Sequence, residues 1–310
     1  RPLRIALLGC GTVGGGVFER LSLQPETFEM IGVANRDRQK AIAASIPHEL
    51  ICIADDLLQK DFDVLLELIG GSDDAYRYIR HSLESGKHVV TANKALMAEH
   101  GTELEDLAKH NGVSLRFSAA VGGVVPALEA ARLRNGFGSP VAITGILNGT
   151  CNFICDRIGS GSSLNDAVTL AQAAGYAEAD PTYDVQGIDA SIKLVILANT
   201  IWGNGIHLSD IDRTGIDLLT ADALRLADDQ GCTIRLIAEA IPRKNILRVS
   251  PRIIEKNHPL VVEGTLNALT LETDMAKEIT LIGRGAGSTE TASAIIGDLL
   301  FIKDRYVQRA

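Results

Sequence analysis

No stretch of this 310-residue chain is apolar for long enough to cross a bilayer; the longest, Ile192 to Trp202, has the length of a buried helix. Nor is there a basic run. Against 39 Asp and Glu stand only 30 Lys and Arg, and the formal charge of −9 has the wrong sign for a surface that grips nucleic-acid phosphates. The 5 cysteines, Cys10, Cys52, Cys151, Cys155 and Cys232, are scattered and odd in number, and no second Cys or His pair accompanies Cys151 and Cys155 at metal-ligand spacing. Reduced, buried thiols are expected, as is a cytoplasmic location, because a strand-like segment opens the chain without a signal-peptide pattern. None of the 7 histidines, His48, His81, His88, His100, His110, His207 and His258, pairs with a Ser or Cys nucleophile. Membrane and nucleic-acid partners are therefore not expected. A small-molecule substrate is.

What remains is an ordinary globular composition, 46% apolar and 22% charged, with room for two domains. Up to Ala119, apolar strands alternate with helices. The strands are Arg4–Leu8, Met30–Ala34, Leu50–Ile53, Val64–Ile69, His88–Thr91 and Val113–Ala119. This is the βαβ pattern of a Rossmann-type, doubly wound parallel sheet. After Pro126 the pattern changes. A helix runs on through Arg134, and Asn135-Gly-Phe-Gly-Ser-Pro140 reads as a domain boundary. Beyond it, helices at 152–158, 164–174, 188–202 and 221–230 mix with strands at 141–147, 233–240, 246–251 and 268–273. That mixture predicts an α+β domain with an antiparallel sheet, and Ser288–Phe301 predicts a closing helix.

Gly9-Cys-Gly11-Thr12-Val13-Gly14 follows the first strand directly and opens a helix. Gly9 suits the tight turn, Gly11 the approach of a pyrophosphate to the backbone, and Gly14 close helix–strand packing. The residues after the second strand are Asn35-Arg36-Asp37-Arg38. Asn35 does not repel a 2′-phosphate and Arg36 and Arg38 can pair with one, which leans toward NADP; Asp37 is near enough to serve NAD. Thr91-Ala-Asn93-Lys94 follows a parallel strand, so Lys94 is placed either to reach the cofactor or simply to start a surface helix.

The densest chemistry lies in Gly175-Tyr-Ala-Glu-Ala-Asp-Pro-Thr-Tyr-Asp-Val-Gln-Gly-Ile-Asp-Ala-Ser-Ile-Lys193. Glu178, Asp180, Asp184 and Asp189 converge there on Lys193, which stands at the mouth of an apolar run. Charges at a burial boundary need partners or change protonation state. Asp189 and Lys193 share a helix face at i,i+4, as a plain intrahelical pair or as part of a site for an amino-bearing substrate. Asn148-Gly-Thr150, at a strand-to-helix junction, offers an amide and a hydroxyl, or only a helix cap.

Taken together, GCGTVGGGV, VVTANKALMAEHG, FSAAVGGVVPAL, LNGTCNFI, GYAEADPTYDVQGIDASIKLVILA and GRGAGSTETASAIIGDLL resemble the homoserine dehydrogenase family over essentially the whole chain. The resemblance implies NAD(P)H-dependent interconversion of L-aspartate 4-semialdehyde and L-homoserine. It further implies a Rossmann domain at 1–135, an α+β catalytic and dimerisation domain at 136–287, and a C-terminal helix at 288–310 that returns to the nucleotide domain. A homodimer follows on the same ground, in a short form without a C-terminal amino-acid-sensing or kinase domain.

Carried over residue by residue, Lys193 matches the family's proton donor and Lys94 its second lysine, near the nicotinamide. Gly175, Glu178, Asp184 and Asp189 match positions that bind the substrate or order the lysine. Thr12, Val13, Thr91 and Gly287 match cofactor contacts. Two positions depart from the family pattern. Ser118 stands where the family has a Glu that, with later carbonyls (here Val121, Gly123 and Val125), holds Na+ or K+, and Val124 replaces a Gly. Two rivals stay open: a semialdehyde dehydrogenase using an activated Cys, and a catalytically impaired NAD(P)-binding protein of the same fold.

Overall fold

The structure, a computed structural model, describes residues 1–132 and 138–307, apart from the side chains of Arg38 and Val307. The chain divides into two compact units, Arg1–Val124 with Gly287–Ala310, and Val125–Ala286.

In the first unit six parallel strands, β1 (Leu3–Leu8), β2 (Phe28–Ala34), β3 (Ile51–Cys52), β4 (Val64–Glu67), β5 (His88–Thr91) and β6 (Leu115–Arg116), lie in the order β3-β2-β1-β4-β5-β6. β1 and β4 are buried along almost their whole length, as strands covered on both faces must be, and this is why they read as unbroken apolar runs. The strand order reverses between β1 and β4. In such sheets the ligand crevice opens at that point, beyond the strands' C-terminal ends. Val17, Phe18 and Leu21 of the Thr12–Ser22 helix share one buried cluster with Ala292, Ile295, Leu299 and Ile302 of the Ser288–Ile302 helix. The last four repeat at the helical period, so one stripe of the closing helix docks beside the first helix.

β6 is shorter than the strand expected over Val113–Ala119. After Arg116 the backbone turns, because the Ser118 N–H leaves the ladder for the Asp298 carboxylate, 2.8 Å away.

The second unit carries β7 (Pro140–Ile146), β8 (Asp212–Arg213), β9 (Cys232–Ile241), β10 (Ile246–Glu255), β11 (Leu266–Thr273) and β12 (Lys277–Arg284), ordered β12-β11-β7-β9-β10-β8. All neighbours are antiparallel except β8 and β10. β12 was not anticipated. It is an edge strand with few buried positions, so it offers no apolar run to recognise. Against this sheet lies the Ile188–Trp202 helix, buried around most of its circumference. The domain boundary expected at Asn135 lies outside the described residues. The first unit ends earlier, at Val124, because the Ala127–Arg132 helix packs on Ile188–Trp202.

His88 opens β5 with its Nδ1 accepting the Ser114 N–H at 3.0 Å, and its ring packs 4.5 Å from that of Tyr306. Burial pushes the imidazole below its ordinary 6.5. The folded chain thus holds it neutral while the unfolded chain takes up a proton. Its contribution to stability is complete above about pH 6.5 and is lost as pH falls toward the depressed value. Thermal midpoints should drop on acidification through this window, and His88→Gln should flatten that dependence; an unchanged profile in the variant would contradict the assignment.

Candidate active site

Gly9 leaves β1 with φ +95°, and a Cβ there would lie 2.5 Å from the Leu68 carbonyl oxygen; one on Gly14 would lie 2.1 Å from the Gly9 oxygen. Both positions exclude any side chain. Around Gly11, by contrast, the place of a Cβ has no atom within 4 Å, and this residue precedes the Thr12–Ser22 helix without any side-chain cap. The first-turn N–H groups, at Thr12 and Val13, are therefore uncapped beside open space, which fits the pyrophosphate of a dinucleotide. Asn35 ties β2 to this loop. Its Oδ1 accepts the Cys10 N–H at 3.3 Å, and its Nδ2 donates to the Asp37 carbonyl at 2.6 Å. The Asp37 carboxylate accepts the Gln39 N–H as a helix cap, and exposed Arg36 is ion-paired with Asp74. The Arg38 side chain lies outside the described residues.

Across the switch point stands Glu67, paired in register with Thr91 and fully buried. Its Oε2 accepts the Thr91 hydroxyl at 2.6 Å, and its Oε1 accepts the Ile69 and Gly70 N–H groups at 2.8 and 3.3 Å. Burial pushes this carboxyl above the usual range, opposed by its hydrogen bonds from Thr91, Ile69, Gly70 and Asn93. The Thr91 hydroxyl also accepts the Asn93 N–H at 3.0 Å, so it is committed inside the fold. Asn93 in turn donates to the Gly71 carbonyl at 2.5 Å and caps the Lys94–His110 helix, which places Lys94 in that helix's first turn. Sequence reasoning missed Glu67. Its signal was a lone carboxylate inside the apolar run Val64-Leu-Leu-Glu-Leu-Ile69. Gly287, with φ +133°, opens the final helix within the same unit.

Ser118, at the position of the family's Glu, is turned toward Asp298. Both its N–H and its hydroxyl donate to Asp298, at 2.8 Å each, and Asp298 is paired with Arg116 at 2.8 Å, all three groups being buried. The Arg116 guanidinium thus neutralises the carboxylate that Ser118 faces. Val124 is not among the residues with positive φ, so glycine is not required there.

In the second unit the Ile188–Trp202 helix follows Gly187, whose φ is +73°. Asp189 in its first turn and Lys193 one turn on are 4% and 7% exposed and 2.8 Å apart. Lys193 Nζ also donates to the Leu147 carbonyl at 2.9 Å. Two of its three N–H directions are thereby used, and the third has no partner among the described residues. Asn148 Nδ2 reaches Asp184 Oδ1 at 2.7 Å and Asp189 Oδ2 at 2.9 Å, while its Oδ1 caps the Gly149–Gly159 helix through the Cys151 N–H at 2.7 Å. The expected helix cap is present, and the same side chain also joins two carboxylates.

The other carboxylates behave differently. Asp180 accepts the Thr182 N–H at 3.0 Å, at the start of the Thr182–Val185 turn. Glu178 is exposed and makes no side-chain hydrogen bond or ion pair among the described residues; its loop is tied by Gln172 Nε2 to the Glu178 and Ala179 carbonyls, at 3.0 and 3.2 Å. Gly175 begins that loop with φ +74°.

The cluster's thiol is no nucleophile. Burial raises Cys151 well above the ordinary thiol value and pushes Cys155 up to about 12. Covalent acyl chemistry is therefore foreign to the cluster, and what a lysine held by a carboxylate offers instead is an acid for a developing alkoxide. A dinucleotide fold with such an acid in the same chain defines a nicotinamide-dependent oxidoreductase. A model of the homoserine dehydrogenase NAD binding domain matches residues 9–118, and one of homoserine dehydrogenase matches residues 126–300. The chain belongs to the homoserine dehydrogenase family.

The homoserine dehydrogenase of Methanocaldococcus jannaschii is 41% identical over 253 residues, 80% of this chain and 75% of that protein. A homoserine dehydrogenase crystal structure from Thiobacillus denitrificans matches with TM-score 0.91 at 34% identity, covering 99% of this chain and 74% of that one. A hyperthermophilic archaeal homoserine dehydrogenase mutant solved with NADPH matches with TM-score 0.84 at 26% identity, covering 99% of each chain.

Because both helix thiols are held neutral by burial, maleimide treatment of the native enzyme at neutral pH should leave turnover largely intact. Loss of all activity in step with labelling of Cys151 would restore the acyl-enzyme rival.

Proposed function

We infer that the chain catalyses the reversible NAD(P)H-dependent reduction of L-aspartate 4-semialdehyde to L-homoserine, a step of threonine, methionine and isoleucine biosynthesis. The observation that carries this reading is the buried Lys193 ammonium, fixed by Asp189 and the Leu147 carbonyl with one N–H left over. A buried ion pair adds little to stability over an apolar pair of the same size, so its presence favours a chemical use.

A bound nicotinamide supplies hydride to the aldehyde carbon. As negative charge develops on the aldehyde oxygen, Lys193 stabilises it and delivers the proton; in the reverse direction it takes the hydroxyl proton. Asp189 orients Lys193. Asp184 and Glu178 accept charge-assisted hydrogen bonds from the substrate ammonium, with Gly175 allowing the loop its left-handed turn. Lys94 is the second lysine, directed at the cofactor side of the reaction, with Glu67 and Asn93 positioning its loop. A cluster with lysine and both aspartates in place does not suit a chain that has lost catalysis, which sets aside the impaired-binder reading.

The preferred cofactor in this reading is NADP. Asn35 at the end of β2 carries no charge to repel a 2′-phosphate, and the exposed guanidinium of Arg36, shared with Asp74, stands next to it to pair with one. A homodimer is proposed on family resemblance, and a cytoplasmic location suits the free thiols Cys10, Cys52, Cys151, Cys155 and Cys232. Among the described residues no helix is long and apolar enough to cross a membrane.

Lys193→Ala should lower kcat by at least about 100-fold with NADPH affinity unchanged. Near-normal turnover in that variant would overturn the mechanism. Arg36→Ala should weaken NADPH by about tenfold or more and leave NADH unaffected, because it removes one charge-assisted contact to the 2′-phosphate; equal effects on both cofactors would reverse the NADP assignment.

A further inference from the structure

The Leu147-Asn148 dipeptide touches every charged group of the buried cluster. The Leu147 carbonyl accepts from Lys193, and the Asn148 side-chain NH2 donates to Asp184 and Asp189. We infer that Asn148 is a positioning residue for the reaction: its side-chain NH2 holds Asp184 and Asp189 together as two ionised carboxylates around one lysine. This inference rests on the proton-donor reading of Lys193 and deepens it.

The amide orientation is unambiguous in chemical terms. As placed, Oδ1 accepts the Cys151 N–H and each Nδ2 hydrogen meets a carboxylate oxygen. Turned over, an oxygen would face two carboxylates and an NH2 would face an N–H. The position is also rigid. Asn148 is 5% exposed, and the next residue, Gly149, is packed so closely that a Cβ on it would lie 2.2 Å from the Thr265 carbonyl oxygen. On the other side, the Leu147 carbonyl is shared between Lys193 and buried Asn267, whose Nδ2 donates to it at 3.0 Å.

A neutral donor is the residue type this place requires. Two like charges at neighbouring sites cannot both stay ionised without a group that favours the charged form of each. A lysine or arginine would supply that group but would cancel a charge and repel Lys193. An amide stabilises both carboxylates and adds no charge of its own. The titratable groups facing Asn148 are Asp184 on the Thr182–Val185 turn, Asp189 and Lys193 on the Ile188–Trp202 helix, and Cys151 on the Gly149–Gly159 helix. The Cys151 thiol donates to the Asp184 carbonyl at 3.1 Å and is kept neutral by burial, so it does not compete for the charge.

Two variants separate this role from helix capping. Asn148→Asp keeps a good capping oxygen and the same shape but replaces the donor by a third carboxylate. Its NADPH affinity should stay near that of the parent, because the nucleotide loop belongs to the first unit. At neutral pH its kcat/KM for L-aspartate 4-semialdehyde should fall by at least about 100-fold, two charge-assisted hydrogen bonds having been lost. Activity should return in part at acid pH, where the introduced carboxyl group is protonated and can donate again. Asn148→Ala, which leaves the two carboxylates unbridged, should move the acid limb of the kcat/KM profile to higher pH, because one carboxylate then retains a proton. The two variants must shift the profile in opposite senses. A parental kcat/KM and pH profile in Asn148→Ala would overturn the inference, whether or not Asn148→Asp folds. Lys193→Ala, assayed in parallel, keeps the two readings apart: if it is inactive while both Asn148 variants behave as the parent, the positioning role alone fails; if it remains active, the proton-donor reading fails.

Discussion

The second unit depends above all on holding one lysine and two aspartates together at the edge of its core, Lys193 and Asp189 buried and Asp184 half-buried. Lys193 sits in a helix that is otherwise almost wholly buried, where an isolated charge is strongly disfavoured. Two neutral groups make the arrangement tolerable: the Leu147 carbonyl, which accepts from Lys193, and the Asn148 amide, which donates to both carboxylates. Much of the second unit serves to hold these in place. β7 ends at the dipeptide. Gly145 within β7 and Gly149 just beyond it are glycines because backbone oxygens of Ala268 and Thr265 stand 2.6 and 2.2 Å from where a Cβ would be. Asn267 of β11 braces the same carbonyl.

The first unit solves a similar problem with the opposite emphasis. Glu67 is a carboxylate sealed at the end of a strand, with hydroxyl and backbone N–H groups as its partners and no cation in that set. Its effect is to fasten the ends of β4 and β5 to each other, which sets the loop carrying Asn93 and Lys94. Arg116, Ser118 and Asp298 fasten the end of β6 to the closing helix in the same way, here with a guanidinium as counter-ion. In both units, buried polar groups are concentrated where a strand ends and a functional loop begins. A loop tethered by several short hydrogen bonds presents its next side chain in one orientation, and reactive groups need that.

A good part of this was legible in the sequence. The glycine loop could be read because each glycine there answers a local steric demand, and the strand–turn–helix context is itself local. The i,i+4 spacing of Asp189 and Lys193 similarly predicts their contact from helix geometry alone. Glu67 was not legible, since a single acidic residue in an apolar strand carries no local signal of its partner Thr91, which lies 24 residues on. Asp298 is 180 residues from Ser118, and nothing near either residue announces the pairing. Asn148 was half legible. Its capping role follows from its place before a helix, but its reach to Asp184 and Asp189 crosses 36 and 41 residues. β12 went unread because an exposed edge strand buries too little to leave a pattern.

The sequence by itself determined the two architectures, the nucleotide-binding loop, the i,i+4 contact of Asp189 with Lys193, and, through long gapless motifs, the family. These are properties of short-range geometry and of segments that fold the same way wherever they occur. Tertiary structure alone decided which carboxylates work together, that Asp180 merely accepts an N–H at the start of a turn, that Thr91 is turned inward, and that Ser118 answers to Asp298. The physical reason is that a charged side chain in water is indifferent to its neighbours in sequence. Its partner is selected only when the fold removes the water and leaves a few oriented donors within reach.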